Sequence, residues 1–155
     1  YSAGNDCYLA KLRIDGTLVW GTYFGGSGTY DGVEDYRIAS NGDIYLRGYT
    51  DSQDLPVTPG AGLTSPGGSW SIYLAGFRGS DGGLKWATYQ GEGYNNWFDA
   101  KNTLDISSDG LVFISGINVR GYFPLTANAP DKVNECSSSY YNCYCLNTLF
   151  PGQFY

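Results

Sequence analysis

The sequence predicts an all-β protein built from tandem four-stranded antiparallel units. Three observations support this prediction: Asx-Gly pairs separate runs of apolar residues, no segment has the 3.6-residue apolar period of a helix, and the same landmarks return after 65 to 68 residues. Tyr, Trp, Val, Ile and Thr fill the apolar runs, and these residue types suit the half-buried surface of a sheet. The 155 residues therefore divide into repeats rather than forming one undivided domain.

Four Asx-Gly pairs mark the hairpins, because both central residues of a two-residue hairpin turn adopt positive φ. In chain order, the pairs and their flanking runs are Asp15-Gly16 between residues 8–14 and 18–23, Asn41-Gly42 between 36–39 and 44–49, Asp81-Gly82 between 72–77 and 84–89, and Asp109-Gly110 between 103–106 and 111–114. The turns are spaced 26, 40 and 28 residues apart. This alternation of short and long spacings predicts two hairpins, and hence four antiparallel strands, in each unit.

Longer segments recur in the same order along the chain. The first and second occurrences are residues 8–10 and 73–75, 19–23 and 85–89, 41–48 and 109–116, and 55–58 and 123–126. Residues 1–19 are also in phase with residues 137–155, since 136 is two periods of 68. We therefore predict repeat unit one at 1–70, repeat unit two at 71–136, and a partial third unit or cysteine-rich tail at 137–155 that can complete a neighbouring chain.

Unit one carries four short motifs: Thr-Tyr before a Gly-Gly-Ser-Gly turn, an Asn-Gly-Asp hairpin, Gly-x-Thr-x-Ser and Leu-Pro-x-Thr. They occupy residues 22–28, 41–45, 48–52 and 55–61, and together they resemble the SBBP family of β-propeller repeats. The resemblance implies propeller-blade-like units in a secreted or cell-surface protein with a scaffold or adhesive role. A closed propeller needs at least about four blades, so two complete units and a partial third are not expected to close within one chain.

Four cysteines, Cys7, Cys136, Cys143 and Cys145, permit two disulfides. Cys143 and Cys145 are separated by one residue, which disfavours a bond between them. Two connectivities remain: Cys7 with Cys143 and Cys136 with Cys145, or Cys7 with Cys145 and Cys136 with Cys143. Buried free thiols in a cytosolic protein are the alternative, but a composition rich in Tyr, Gly and Ser, without Met or His, favours disulfides and an extracellular or cell-surface location. The cysteine-rich tail also resembles part of an EGF-like module.

The composition excludes several classes of function. Nine basic residues against 15 acidic ones give a net charge of −6, and the basic residues are scattered, so nucleic acid and anionic membranes are not expected partners. The absence of His excludes a Ser-His-Asp triad and any His-ligated metal. No apolar run approaches the roughly 20 residues of a membrane helix. We expect no cofactor and no catalytic residue.

Two groups of residues are candidate binding sites. Asp31, Glu34 and Asp35 cluster between the first two hairpins and could hold a cation weakly or act as paired carboxylates, although a solvated acidic loop is the favoured interpretation. Trp70 and Trp97 lie beside Gly- or Asn-rich loops and do not share a repeat phase, so they are the candidates for stacking on sugars. Packing inside the protein is the favoured interpretation even for these two.

An unclosed array of strands exposes its edges, and exposed edges pair with other chains. We therefore predict a structural subunit of an extracellular filament or surface assembly that polymerises head to tail, since a heterologous contact that does not close gives a filament. The expected partners are further copies of the chain and, secondarily, glycans. The alternatives are a carbohydrate-binding or adhesive module, a fragment of a larger secreted β-propeller protein, and an enzyme fragment that uses the acidic loop. Residues 56–66 are candidate O-glycan acceptors in this glycoprotein interpretation.

Overall fold

The structure is a computed structural model that describes residues 4–92, 103–115 and 125–130. Within these ranges the chain forms eight strands and no helix, so the all-β prediction is confirmed. The strands are β1 (Cys7–Leu12), β2 (Leu18–Phe24), β3 (Asp31–Ile38), β4 (Ile44–Thr50), β5 (Ser71–Phe77), β6 (Leu84–Glu92), β7 (Thr103–Ile106) and β8 (Val112–Ser115). All paired neighbours among them are antiparallel.

The four predicted hairpins are confirmed, and each turn places its glycine in the left-handed region. The φ angles are 85° at Gly16, 84° at Gly42, 73° at Gly82 and 87° at Gly110. An L side chain rarely adopts this conformation, so the Asx-Gly pairs define where consecutive strands reverse direction. The hairpins are β1–β2, β3–β4, β5–β6 and β7–β8.

The pairing of these hairpins differs in phase from the repeat units drawn on the sequence. One four-stranded sheet has the order β3-β4-β5-β6, whereas β1–β2 and β7–β8 are separate two-stranded sheets. The pairing of β4 with β5 runs from Ile44 with Phe77 to Thr50 with Ser71, so the sheet crosses residue 70, where unit one is predicted to end. The long connection of residues 51–70 returns the chain along the free edge of β4, which the short connections cannot do. Neither the radial arrangement of blades nor the open ring is tested, and both stay predictions.

One face of the central sheet, which we call the β1 side, packs on the β1–β2 hairpin. Phe24 of β2 lies between two aromatic residues of β5, with ring centroids 5.4 Å from Tyr73 and 5.5 Å from Phe77. Leu9 and Leu46 belong to the same buried cluster. This cluster is the larger of the two apolar cores in the described ranges, and it fixes the first hairpin against the sheet.

The opposite face, which we call the β7 side, packs on the β7–β8 hairpin. Tyr45, Leu74 and Leu104 form its buried centre, and Trp86 and Ile106 pack around them. Tyr45 and Leu46 are adjacent in β4 but belong to different clusters, because successive side chains in a strand point to opposite faces. The described part of the molecule is therefore layered, with a hairpin on each side of a four-stranded sheet.

Candidate functional site

The Gly-Gly-Ser-Gly turn forms a loop whose backbone is held by side chains. Five consecutive amides donate hydrogen bonds: Gly26 to Asp31 (2.8 Å), Ser27 to Asp54 (2.7 Å), Gly28 to Ser52 (2.8 Å), and Thr29 and Tyr30 to Asp51 (2.8 and 2.9 Å). We call residues 25–30 the clamped loop. The acceptors come from the Gly-x-Thr-x-Ser motif and its neighbours, so this family-like motif has a structural role in loop positioning.

Glycine is required in the clamped loop because the acceptors approach the backbone closely. A Cβ on Gly26 would lie 2.5 Å from an Asp54 carboxylate oxygen, and a Cβ on Gly28 would overlap with the Asp51 carboxylate. Backbone amides bound to carboxylates also lower the pKa of Asp54, while at Asp51 partial burial opposes the lowering that the bonds from Thr29 and Tyr30 produce. These carboxylates are therefore ionised and occupied at neutral pH.

The three carboxylates predicted as a weak cation site are given separate partners. Asp31 is 2% exposed and accepts bonds from Thr50 Oγ1 at 2.5 Å and Ser52 Oγ at 2.9 Å. Glu34 lies 2.7 Å from Arg47, which is itself buried. Among residues 4–92, 103–115 and 125–130, no group of three or more Cys, Asp or Glu side chains is placed to hold a metal ion.

Asp35 pairs with Arg37 at 2.5 Å and accepts a bond of 2.9 Å from the Leu104 amide, which joins β3 to β7. Partial burial raises the pKa of Asp35, but the Leu104 amide and the Arg37 guanidinium outweigh it and lower the pKa overall. A carboxyl group that serves as a general acid needs a raised pKa, so Asp35 is unsuited to that role.

An aromatic pair lies next to the clamped loop. The rings of Tyr30 and Trp70 have centroids 5.7 Å apart and an interplanar angle of 54°. Tyr30 is 42% exposed and Trp70 is half-buried, so both retain surface that a ligand could contact. Trp97, the other predicted sugar-stacking residue, lies outside the described residues. Tyr30 is the member of the pair that the sequence did not single out, since nothing in its local pattern distinguishes it from other strand aromatics.

Cys7 is buried as a free thiol at the start of β1. Burial is the main cause that raises the pKa of the Cys7 thiol to about 11, and nearby Asp31 adds to the effect. The other three cysteines, Cys136, Cys143 and Cys145, lie outside the described residues. Both predicted disulfide connectivities therefore stay predictions.

The outer face of the β1–β2 hairpin, turned away from the central sheet, exposes two large aromatic side chains. Tyr8 and Tyr23 are cross-strand partners and are 75% and 76% exposed. Their repeat equivalents, Tyr73 and Tyr89, are also cross-strand partners, and both are 0% exposed. The same pair of side chains is thus a buried part of the core in the complete sheet and an exposed surface on the isolated hairpin.

The two hairpin sheets also leave strand edges unpaired. In the described part of the chain, β1 pairs only with β2, and β8 pairs only with β7. Phe113 on β8 is 57% exposed, whereas Tyr45, which precedes it by one repeat, is 9% exposed. We take the outer face and free edge of β1–β2, together with the free edge of β8, as the candidate functional site.

Comparison with protein-family models, curated proteins and solved structures finds no match to this chain. The resemblance to SBBP repeats and the extracellular location consequently stay expectations from the sequence. Among the described residues there is no helix of the length and apolarity needed to cross a membrane.

Proposed function

We propose that the chain is a structural, non-enzymatic subunit of an extracellular filament or surface assembly that polymerises head to tail through strand-edge complementation. One observation carries the proposal: Tyr8 and Tyr23 are about three-quarters exposed, but Tyr73 and Tyr89, at equivalent places in a complete sheet, are fully buried. Large aromatic side chains contribute much of the free energy of burial in cores and interfaces. Covering this hairpin therefore favours association with a further unit of the same kind.

The layered geometry supports an open chain of contacts rather than a closed pair. The β1–β2 hairpin and the β7–β8 hairpin lie on opposite faces of the central sheet, so a contact between one end and the other leaves new ends free. A heterologous contact of this kind gives a ring if it closes and a filament if it does not. No cofactor enters the proposal, and its partner is another copy of the chain.

Sedimentation velocity over a range of concentrations, with negative-stain microscopy of the same samples, tests the proposal. We expect species that grow with concentration and appear as filaments. A Tyr8→Ser, Tyr23→Ser double variant should reduce assembly at least tenfold without lowering the melting temperature, because both side chains are exposed in the single chain. Leu125→Ser is the matched control, since Leu125 is 54% exposed but lies on neither hairpin. Monodisperse monomers at high concentration would overturn the proposal.

A carbohydrate-binding or adhesive module is the second candidate function, and the Tyr30–Trp70 pair is the observation that favours it. Exposed aromatic faces stack on apolar faces of sugar rings, which makes this pair the natural contact. A glycan array with the wild-type chain and a Trp70→Ala variant tests it. Binding that Trp70→Ala abolishes would support this function, and an array without hits would remove it.

The extracellular location and the relation to a longer protein have separate tests. Intact mass before and after reduction should differ by four hydrogens if two disulfides are present, and four free thiols would contradict the extracellular placement. If the chain is a fragment of a larger secreted β-propeller protein, the next repeat of the same polypeptide supplies the missing strands. The length of the encoding gene decides between that arrangement and assembly of separate copies.

A further inference from the structure

The two free edges described above correspond to two edges that pair with each other elsewhere in the same chain. The repeat relates β1 to β5, because residues 8–10 match residues 73–75, and it relates β8 to β4, because residues 41–48 match residues 109–116. In the central sheet, β4 and β5 pair along seven positions. The unpaired edges of β1 and β8 are therefore the edges that are paired in the complete sheet.

Resting on the head-to-tail assembly proposed above, we propose that β8 of one copy pairs antiparallel with β1 of the next copy. The contact completes a second four-stranded sheet in the order β7-β8-β1-β2, with two strands from each copy. One chain cannot make this contact with itself, because its own β1 and β8 lie on opposite sides of the central sheet. The partner is consequently a second copy of this chain.

The central sheet also fixes the register of the contact. Leu46 pairs with Ala75, and moving each residue by its repeat spacing of 68 and 65 residues gives Ile114 opposite Ala10. Tyr45 pairs with Gly76, and the same shift gives Phe113 opposite Lys11. The register determines which side chains share a face, since a slip of one residue would turn every side chain to the other face.

This register places complementary charges side by side. Residues 103–115 contain Asp105 and Asp109 and no basic residue, whereas residues 7–14 contain Lys11 and Arg13 and no acidic residue. With Val112 opposite Leu12, Asp109 lies at the same end of the contact as Arg13. An acidic side chain already has this role in the central sheet, where Asp43 accepts bonds from the Gly79 amide at 3.1 Å and from Lys85 at 2.5 Å. Such complementarity favours pairing of β8 with β1 over pairing of either edge with itself.

The same arrangement covers the exposed aromatic face. Trp20 lies over the β5–β6 turn, where a Cβ on Gly82 would be 2.6 Å from its indole ring. The repeat equivalents are Trp86, which packs only partly buried on the β7 side, and Gly16, whose turn has no heavy atom within 4 Å of an added Cβ. In the assembled sheet, Trp86 of one copy occupies the open space beside Gly16 of the next. Tyr8 and Tyr23 then face the β7 side of the first copy and become buried.

Disulfide trapping between two differently substituted chains tests the register. Ala10→Cys and Ile114→Cys chains are mixed and oxidised mildly, and the cross-linked peptide is identified by mass spectrometry. Lys11→Cys with Phe113→Cys is a second pair in register, and the two pairs together sample both kinds of antiparallel position, of which the non-hydrogen-bonded one has the closer side chains. Lys11→Cys with Ile114→Cys is the control that is out of register by one residue. We expect at least one pair in register to cross-link tenfold or more above the control.

The outcomes separate this contact from the proposed function as a whole. Assemblies that form without either cross-link in register would overturn the β8–β1 contact and leave head-to-tail assembly standing through another surface. Monomers without cross-links would overturn both. An intramolecular link from Ile114→Cys to Cys143 or Cys145 would show that the chain's own tail, which is in phase with residues 1–19, occupies the edge of β8, and this too would overturn the contact.

Discussion

The indole Nε1 of Trp20 donates a hydrogen bond of 3.1 Å to the backbone carbonyl oxygen of Gly79. The same oxygen accepts a bond of 2.8 Å from the Lys11 ammonium group. Both donors belong to the β1–β2 hairpin, and the acceptor belongs to the turn between β5 and β6. This carbonyl therefore joins the first hairpin to the central sheet, in addition to the apolar contacts around Phe24.

Replacing Trp20 by Phe should destabilise the chain by about 1–3 kcal/mol, because a buried hydrogen bond and part of a buried ring are lost together. Urea unfolding followed by far-UV circular dichroism measures the change without relying on indole fluorescence. Leu18→Ala in the same strand is the control, since Leu18 is 61% exposed, and its effect should stay within about 0.5 kcal/mol. Equal stabilities of Trp20→Phe and the wild-type chain would contradict this role.

The phenol of Tyr89 connects two backbone groups of the connection between β4 and β5. It donates to the Ser52 carbonyl oxygen at 2.9 Å and accepts from the Leu55 amide at 2.9 Å. Tyr89→Phe leaves both groups buried without that partner and should cost about 1–3 kcal/mol. Tyr23→Phe is a matched control, because Tyr23 is the repeat equivalent but is 76% exposed. Thermal or urea unfolding at a concentration too low for assembly should show no effect of the control, and similar losses for both variants would refute the explanation.

The local parts of this fold can be predicted from the sequence, and the pairing between hairpins cannot. Turns such as Asn41-Gly42 need positive φ at fixed positions, so the sequence itself marks each reversal. Whether β4 pairs with β5 depends on contacts between residues in different repeats, such as those of Tyr89 with Ser52 and Leu55. No pattern within a single repeat specifies those contacts, and the sheet consequently differs in phase from the predicted units.

The acidic cluster illustrates why closeness in sequence does not define a site in a strand. Asp31 and Asp35 are four residues apart in β3, and an extended strand separates such residues by about 13 Å. Glu34 lies at the irregularity between Val33 and Asp35 and pairs with Arg47 instead. The exposed aromatic pair on β1–β2 is a different case. Its exposure follows from the absence of a covering layer, which the alternation of residues within β1 cannot reveal.

The clamped loop predicts a contrast between two glycine substitutions. Gly28→Ala should destabilise the chain by about 1–3 kcal/mol, because the new methyl group overlaps with the Asp51 carboxylate that binds Thr29 and Tyr30. Gly62→Ala is the control, since its nearest atom outside the adjacent residues would be Thr88 Oγ1 at an ordinary 3.8 Å. That variant should be neutral or slightly stabilising through the unfolded state. Thermal unfolding of both variants checks the contrast, which would fail if Gly28→Ala melted at the wild-type temperature.

The Cys7 thiol should resist alkylation in the folded, reduced chain. Burial raises its pKa to about 11, and only the thiolate reacts. At pH 8 a thiol with pKa 11 is about 0.1% ionised and one with the ordinary value near 9 about 10%, so reaction with iodoacetamide should slow about 100-fold relative to the urea-unfolded chain. Peptide mass spectrometry separates Cys7 from the other three cysteines.

The raised pKa of Cys7 also fixes the direction of a pH effect on stability. The folded state prefers the neutral thiol, so this contribution to the free energy of unfolding is complete below about pH 9 and is lost as the pH rises through about 11. A Cys7→Ala variant lacks this titration. Its stability should therefore fall less steeply over that interval than that of the reduced wild-type chain, with the tyrosines shared by both proteins as the common background. Parallel stability curves, or alkylation of Cys7 at the unfolded rate in native buffer, would show that the thiol is accessible to solvent and that its burial beside Tyr73 does not control its ionisation.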